Sequence, residues 1–181
     1  MSKMRVTIDQ VMSWGPCGYN GDDDGRNYTR ARVTGLFGRR KYMTALQILA
    51  LDIPVEDRLW AVLRVDLVDA RTLRLLACDC AERALMRERK RGRELDQRSW
   101  DAVAVSRRYA MGKATNRELV AARAVAWDAA WTVAGAAASA AASVAASDAA
   151  SAAASAAART AARTAERKWQ VRHLVEMLVT P

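Results

Sequence analysis

The residues able to do chemistry in this chain are few, and their spacing is unhelpful for catalysis. His173 is the only histidine. A serine or cysteine nucleophile would therefore have one candidate base, with no local motif to pair them. The three cysteines are Cys17, Cys78 and Cys80. Cys78 and Cys80 fall two apart on an expected helix, where side chains at that spacing point away from each other. A zinc site from Cys17, Cys78, Cys80 and His173 is arithmetically available but has no CxxC spacing, so core cysteines are the expectation. Gly21-Asp-Asp-Asp-Gly25 has the acidity of a calcium loop without its alternating ligands or terminal glutamate, and reads as a solvated turn. No phosphate-binding, dinucleotide-binding or nucleophile-elbow glycine motif is present. Glu56 and Asp57 fall at a helix start, where the macrodipole accounts for them. The sequence points to a protein that is not an enzyme and carries neither cofactor nor metal.

The chemistry that remains is charge. The 181 residues carry a net charge of +9 with a pI near 10.1. Arginine dominates; the lysines are only Lys3, Lys41, Lys90, Lys113 and Lys168. The guanidinium fork suits phosphate, carboxylate and aromatic faces, so an anionic partner is expected. Three clusters stand out. Residues 83 to 98 hold seven cations (Arg83, Arg87, Arg89, Lys90, Arg91, Arg93, Arg98) against Glu88, Glu94 and Asp96. Arg39, Arg40 and Lys41 form a second cluster beside Tyr42. Arg159, Arg163, Arg167, Lys168 and Arg172 form a third beside Trp169. The first also sits where cations complement a helix C-terminus. Arg39, Arg40, Lys41, Arg87, Arg89, Lys90, Arg91, Arg93, Arg159, Arg163 and Arg167 are the candidate contacts to a partner or nucleic acid.

The elements that must position these residues are helices. Thr7-x-x-Gln10, Thr44-x-x-Gln47 and Thr115-x-x-Glu118 are capping boxes. Trp14 to Gly25 is dense in turn formers. Thr29 to Phe37 reads as a short helix ending at Gly38. Pro54 suits the first turn of a helix carrying Leu59, Trp60, Val62 and Leu63. Asp69 caps a helix with Leu73, Leu76, Ala77, Cys80, Ala84 and Leu85 at three- and four-residue spacing. Asp96 caps another, through Trp100, Val103, Ala104, Arg107 and Ala110, which Gly112 terminates. Strands are expected only as a short pair near the N-terminus.

From Ala134 to Ala165 the chain is almost entirely alanine and serine. Ser139, Ser143, Ser147, Ser151 and Ser155 fall at intervals of four, and Arg159, Arg163 and Arg167 continue the register. Alanine's propensity makes the tract helical. Four residues advance about 400°, so the stripe drifts about 40° per repeat around a straight helix. A continuous helix from Asn116 to Leu178 would span roughly 95 Å, so a protruding arm or a hairpin hinged at Gly135 is expected. Alanine and serine lack the hydrophobicity that drives membrane insertion. The fold class is all-α: a compact multi-helix bundle over 1–113, with a mixed-loop start, then an alanine-rich long helix or hairpin over 114–181. The odd cysteine count and the absence of an apolar leader point to a reducing cytoplasm.

Two stretches resemble known proteins. Ser99-Trp-Asp-Ala-Val, then Arg108-Tyr-Ala-Met-Gly-Lys-Ala-Thr-Asn-Arg-Glu-Leu-Val-Ala-Ala-Arg-Ala-Val-Ala-Trp and the alanine run, resembles the alanine-rich immunity protein family of bacterial polymorphic toxin systems. The likeness covers the C-terminal half. It departs at repeat positions where serine stands for the family's arginine or tryptophan. Met43-Thr-Ala-Leu-Gln-Ile-Leu-Ala-Leu-Asp-Ile-Pro-Val-Glu-Asp-Arg-Leu-Trp-Ala-Val-Leu-Arg, with Leu75-Leu-Ala-Cys-Asp-Cys-Ala-Glu-Arg-Ala-Leu, looks like a segment of small proteins from gut bacteria, their phages and mobile elements. Among those, size and basicity are similar to a type II anti-CRISPR inhibitor. Both resemblances imply a helical inhibitor of a larger partner, and neither transfers a site residue. The expected partner is a larger protein or ribonucleoprotein, such as an RNA-guided nuclease, with direct nucleic-acid contact, no membrane, and self-association left open. Toxin neutralisation and general nucleic-acid binding are the alternatives. A nuclease toxin's basic cleft would call for an acidic inhibitor, which the +9 charge opposes.

Overall fold

The computed structural model describes residues 4–16, 27–92, 96–122, 124 and 149–180, excluding the side chains of residues 149–162. The chain is predominantly helical. In order, the elements are β1 (Arg5–Val6), α1 (Ile8–Ser13), α2 (Arg30–Phe37), β2 (Met43–Thr44), α3 (Ala45–Leu49), α4 (Val55–Val62), α5 (Ala70–Lys90), α6 (Gln97–Ala110), α7, described over residues 116–122, and α8 (Ala149–Val179). Two compact units result: Met1–Ala70 with Val171–Pro181, and Arg71–Gln170. The sequence division at 113/114 does not coincide with these. Helical periodicity marks where helices run, whereas the units are defined by pairings between residues far apart in sequence.

In the first unit, short helices are held by local caps. Thr7 and Gln10 form a reciprocal capping box at α1, and Thr44 and Gln47 do the same at α3. Each box satisfies two backbone N–H groups that a helix start leaves orphaned. Thr29 accepts from the Arg32 N–H at the start of α2, and Gly38 closes it with φ +58°, a conformation that costs glycine alone nothing. Pro54 stands one residue earlier than expected, as the N-cap of α4; its extended ψ of 140° is that of a flanking residue. Leu63 lies beyond the end of α4 and is exposed, because the helix stops at Val62. Arg58 ties α4 to α3 by donating from Nη1 to the Leu49 carbonyl at 3.1 Å.

The expected short strand pair exists, but its second strand lies at Met43–Thr44. The pairing is antiparallel, with Arg5 opposite Thr44 and Val6 opposite Met43. Two-residue strands are too short to show alternation in sequence. Val6 and Met43 are 0% and 1% exposed, each contributing about 1.5–3 kcal/mol by burial. An isolated two-stranded ribbon is marginal in water, so this inward pair is what pins it. Val33, Phe37, Ile48, Leu49, Leu59, Val62, Leu67, Val68 and Leu174 are also buried in this unit.

The second unit is built on α5. Arg107 of α6 reaches Asp79 at 2.7 Å and Glu82 at 2.8 Å, and Arg74 lies 4.8 Å from the Tyr109 ring centroid. Asp96 caps α6, Gly112 follows it with φ +72°, and Thr115 with Glu118 opens α7. α8 is a 31-residue helix, about 46 Å long at 1.5 Å per residue. Gly135 and Ser139, Ser143 and Ser147 lie outside the described residues, so the described part of the tract is the start of α8. No helix among the described residues is long and apolar enough to cross a membrane.

Candidate nucleic-acid interface

The three basic clusters have different fates. In the first, Arg87 pairs with Glu166 of α8 at 2.7 Å, and Arg83 reaches the same carboxylate at 3.1 Å. Arg83 also lies over the Trp169 ring at 4.4 Å. Glu166 is only 15% exposed, so these contacts fasten α5 to α8. Arg91 pairs with Glu88 at 2.7 Å, and Arg98 pairs with Asp96. Arg89 and Lys90 are exposed at the end of α5, where they complement the helix dipole. Arg93, and the side chain of Arg159, lie outside the described residues. Arg163, Lys168 and Arg172 are exposed, and Arg167 is half-buried.

Arg39, Arg40 and Lys41 differ from the first group, several of whose cations meet carboxylates, and share their exposure with Arg163, Lys168 and Arg172 of the third. All three are exposed, and no ion pair holds any of them among the described residues. Residues 27–51 contain Arg30, Arg32, Arg39, Arg40 and Lys41 and no acid. Arg30 pairs with Asp9, and Arg32 lies 4.5 Å from the Tyr28 ring centroid, so among the described residues no carboxylate is paired with the turn's three cations. Their placement follows from local structure. α2 is anchored by buried Val33 and Phe37 and stops at Gly38, whose N–H donates to Thr34 and Gly35 carbonyls. The Arg40 N–H then returns to the Phe37 carbonyl at 3.1 Å. The turn is thus held by backbone bonds, and its side chains remain in water.

The ribbon adds two residues to this turn. Alternation puts Met43 inward, so Tyr42 and Thr44 share the outer face, where Arg5 sits opposite Thr44. Arg5 and Tyr42 are then diagonal cross-strand neighbours. The Arg5 guanidinium lies 4.3 Å from the Tyr42 ring centroid, within cation–π range. The Arg5–Tyr42 pair thus adjoins in sequence the turn that carries exposed Arg39, Arg40 and Lys41. The sequence showed the cluster and its tyrosine; Arg5, 34 positions or more upstream of the turn, was not foreseeable, because only the strand pairing brings it there.

Other reactive groups are occupied or shielded. Cys78 is buried and Cys80 half-buried. Desolvation, then the Glu166 and Asp79 carboxylates, pushes the Cys80 thiol above its usual range, which disfavours the nucleophilic thiolate. His173 faces Glu176 on its own helix at 3.5 Å. No group of three His, Cys, Asp or Glu residues among those described is placed to hold a metal ion. An apolar cavity of about 60 Å³ lies among Val11, Phe37, Met43, Ile48 and Trp60; the Asp57 carboxylate on its wall accepts from the Tyr28 hydroxyl at 2.7 Å. Arg64 sits between Trp14 and Trp60, 4.5 and 4.4 Å from their centroids. Neither arrangement was visible in the sequence.

Comparison with protein-family models, curated proteins and solved structures finds no match to this chain.

Proposed function

We propose that this chain is a non-enzymatic binding protein that engages nucleic acid, free or within a ribonucleoprotein, through Arg5, Arg39, Arg40, Lys41 and Tyr42. The observation that carries this reading is the acid-free turn: three cations, none neutralised by a carboxylate among the described residues, held out by a backbone-bonded corner. Intramolecular carboxylates take up much of the charge around residues 83–98; nothing comparable opposes residues 39–41 among the described residues. Phosphate backbones reward such uncompensated cations by releasing their counterions.

The narrower form of the proposal draws on the resemblance of residues 43–64 and 75–85. It is inhibition of a type II RNA-guided effector, by denying it target DNA or blocking cleavage. The exposed basic turn favours this over neutralisation of a nuclease toxin, whose basic cleft would meet an acidic face more readily.

Reversing the turn (Arg39→Glu, Arg40→Glu, Lys41→Glu together) tests the general form. Fluorescence anisotropy with a labelled oligonucleotide should show affinity falling by about tenfold or more at low salt, because the phosphates then meet acids in place of cations. The circular dichroism spectrum should be unchanged. Equal affinity for both proteins would remove the turn from the interface. For the narrower form, guide-loaded effector should lose target cleavage in the presence of molar excess wild-type protein and keep it with the reversed variant. Undiminished cleavage with wild-type protein would exclude that partner.

A further inference from the structure

We infer that the nucleic acid bound at this turn is single-stranded, with an unpaired base stacked on the Tyr42 ring. This rests on the proposal that the partner is a nucleic acid, and adds which form of it fits.

Tyr42 is a large aromatic side chain left 45% exposed. The chain gives it no way inward, because its neighbour Met43 takes the buried position opposite Val6 and the two-residue period then sends Tyr42 out. Arg5 rests against the ring, 4.3 Å from its centroid, and holds it beside the basic turn. The result is a supported aromatic surface immediately next to three phosphate-binding cations. A duplex encloses the faces of its bases in its own stack and presents phosphates and groove edges. It can use Arg39, Arg40 and Lys41, but it offers the ring nothing to stack on. A single strand offers both: phosphates for the cations and a free π-face for Tyr42. An arginine on one side of the ring and a base on the other is the combination that single-strand platforms use.

The stacking contact itself predicts tolerance of sequence, because every base has a π-face. DNA and RNA strands share the phosphate and the base face, so separate probes distinguish the two.

The test uses the full chain and three labelled probes at one ionic strength: an oligothymidylate, an oligouridylate of equal length, and a mixed-sequence duplex of that length. Wild-type protein should bind at least one of the single strands roughly tenfold more tightly than the duplex, the worth of one stacked base. Whichever strand binds more tightly identifies the DNA or RNA form. Tyr42→Ala should weaken binding of the single strand by roughly that tenfold and so remove its advantage over the duplex. Tyr42→Phe should restore it, since the ring and not the hydroxyl does the stacking. Should Tyr42→Ala fail to fold, Tyr42→Leu keeps the bulk without the π-face and should show the same weakening. Equal affinity for duplex and single strands, or a Tyr42→Ala or Tyr42→Leu protein that keeps full single-strand affinity, overturns the stacking inference while leaving nucleic-acid binding standing. Binding to none of the three probes overturns the underlying proposal as well.

Discussion

Asp57 shows how differently one residue reads alone and in place. In sequence it is an acid in the first turn of a helix, accounted for by the macrodipole. In the structure it is also buried, 9% exposed, and accepts the Tyr28 hydroxyl at 2.7 Å from 29 positions away. A buried hydrogen bond to a charged group contributes about 1.5–3 kcal/mol. Tyr28→Phe should therefore lower the unfolding free energy by about that amount, read as a reduced urea midpoint at unchanged slope. A midpoint equal to wild type would mean that water serves Asp57 as well as the phenol does. Arg107 between Asp79 and Glu82, Arg64 between Trp14 and Trp60, and Glu166 between Arg83 and Arg87 belong with it. Apart from Arg64 with Trp60, each joins residues whose separation in sequence carries no periodic signal. The chemistry of the individual side chains was legible, and their partners were not.

Elements were legible in proportion to how local their determinants are. A capping box is complete within four residues, and all three expected boxes form. Gly38 and Gly112 adopt the positive φ their helix ends require. The ribbon's position escaped because strand pairing is a long-range property. At the α7 box the Glu118 carboxylate accepts from the Thr115 N–H at 2.7 Å, and that bond, followed by the Thr115 hydroxyl, holds its carboxyl below the usual glutamate range. A folded value below the unfolded one means that the group stabilises the fold above the unfolded value. That contribution disappears as the pH falls through the folded one. The Thr115 amide proton should consequently titrate with a midpoint below that of an ordinary glutamate, measured by nuclear magnetic resonance. Thr115→Ala removes only the hydroxyl's share, so it should shrink that shift without abolishing it, and cost about 1 kcal/mol. A midpoint at the ordinary value would show that the box is not closed in solution.

For the whole molecule, what matters is how the +9 charge is distributed. Composition alone treats every arginine as equivalent. Folding divides them: Arg30, Arg83, Arg87, Arg91, Arg98 and Arg107 meet carboxylates, while Arg39, Arg40 and Lys41 face solvent and Arg5 rests on the Tyr42 ring. Around residues 83–98 much of the charge is taken up internally, so the turn at residues 39–41 stands out more than composition suggests. The most direct test of its role is the salt dependence of binding to a single-stranded oligonucleotide, from about 50 to about 200 mM salt, where four neutralised phosphates give a log–log slope of about −3. Replacing Arg39, Arg40 and Lys41 together by alanine should flatten that slope by about 2. Binding that is insensitive to salt, or a slope unchanged by the triple substitution, would contradict the assignment of this turn as the phosphate-binding surface.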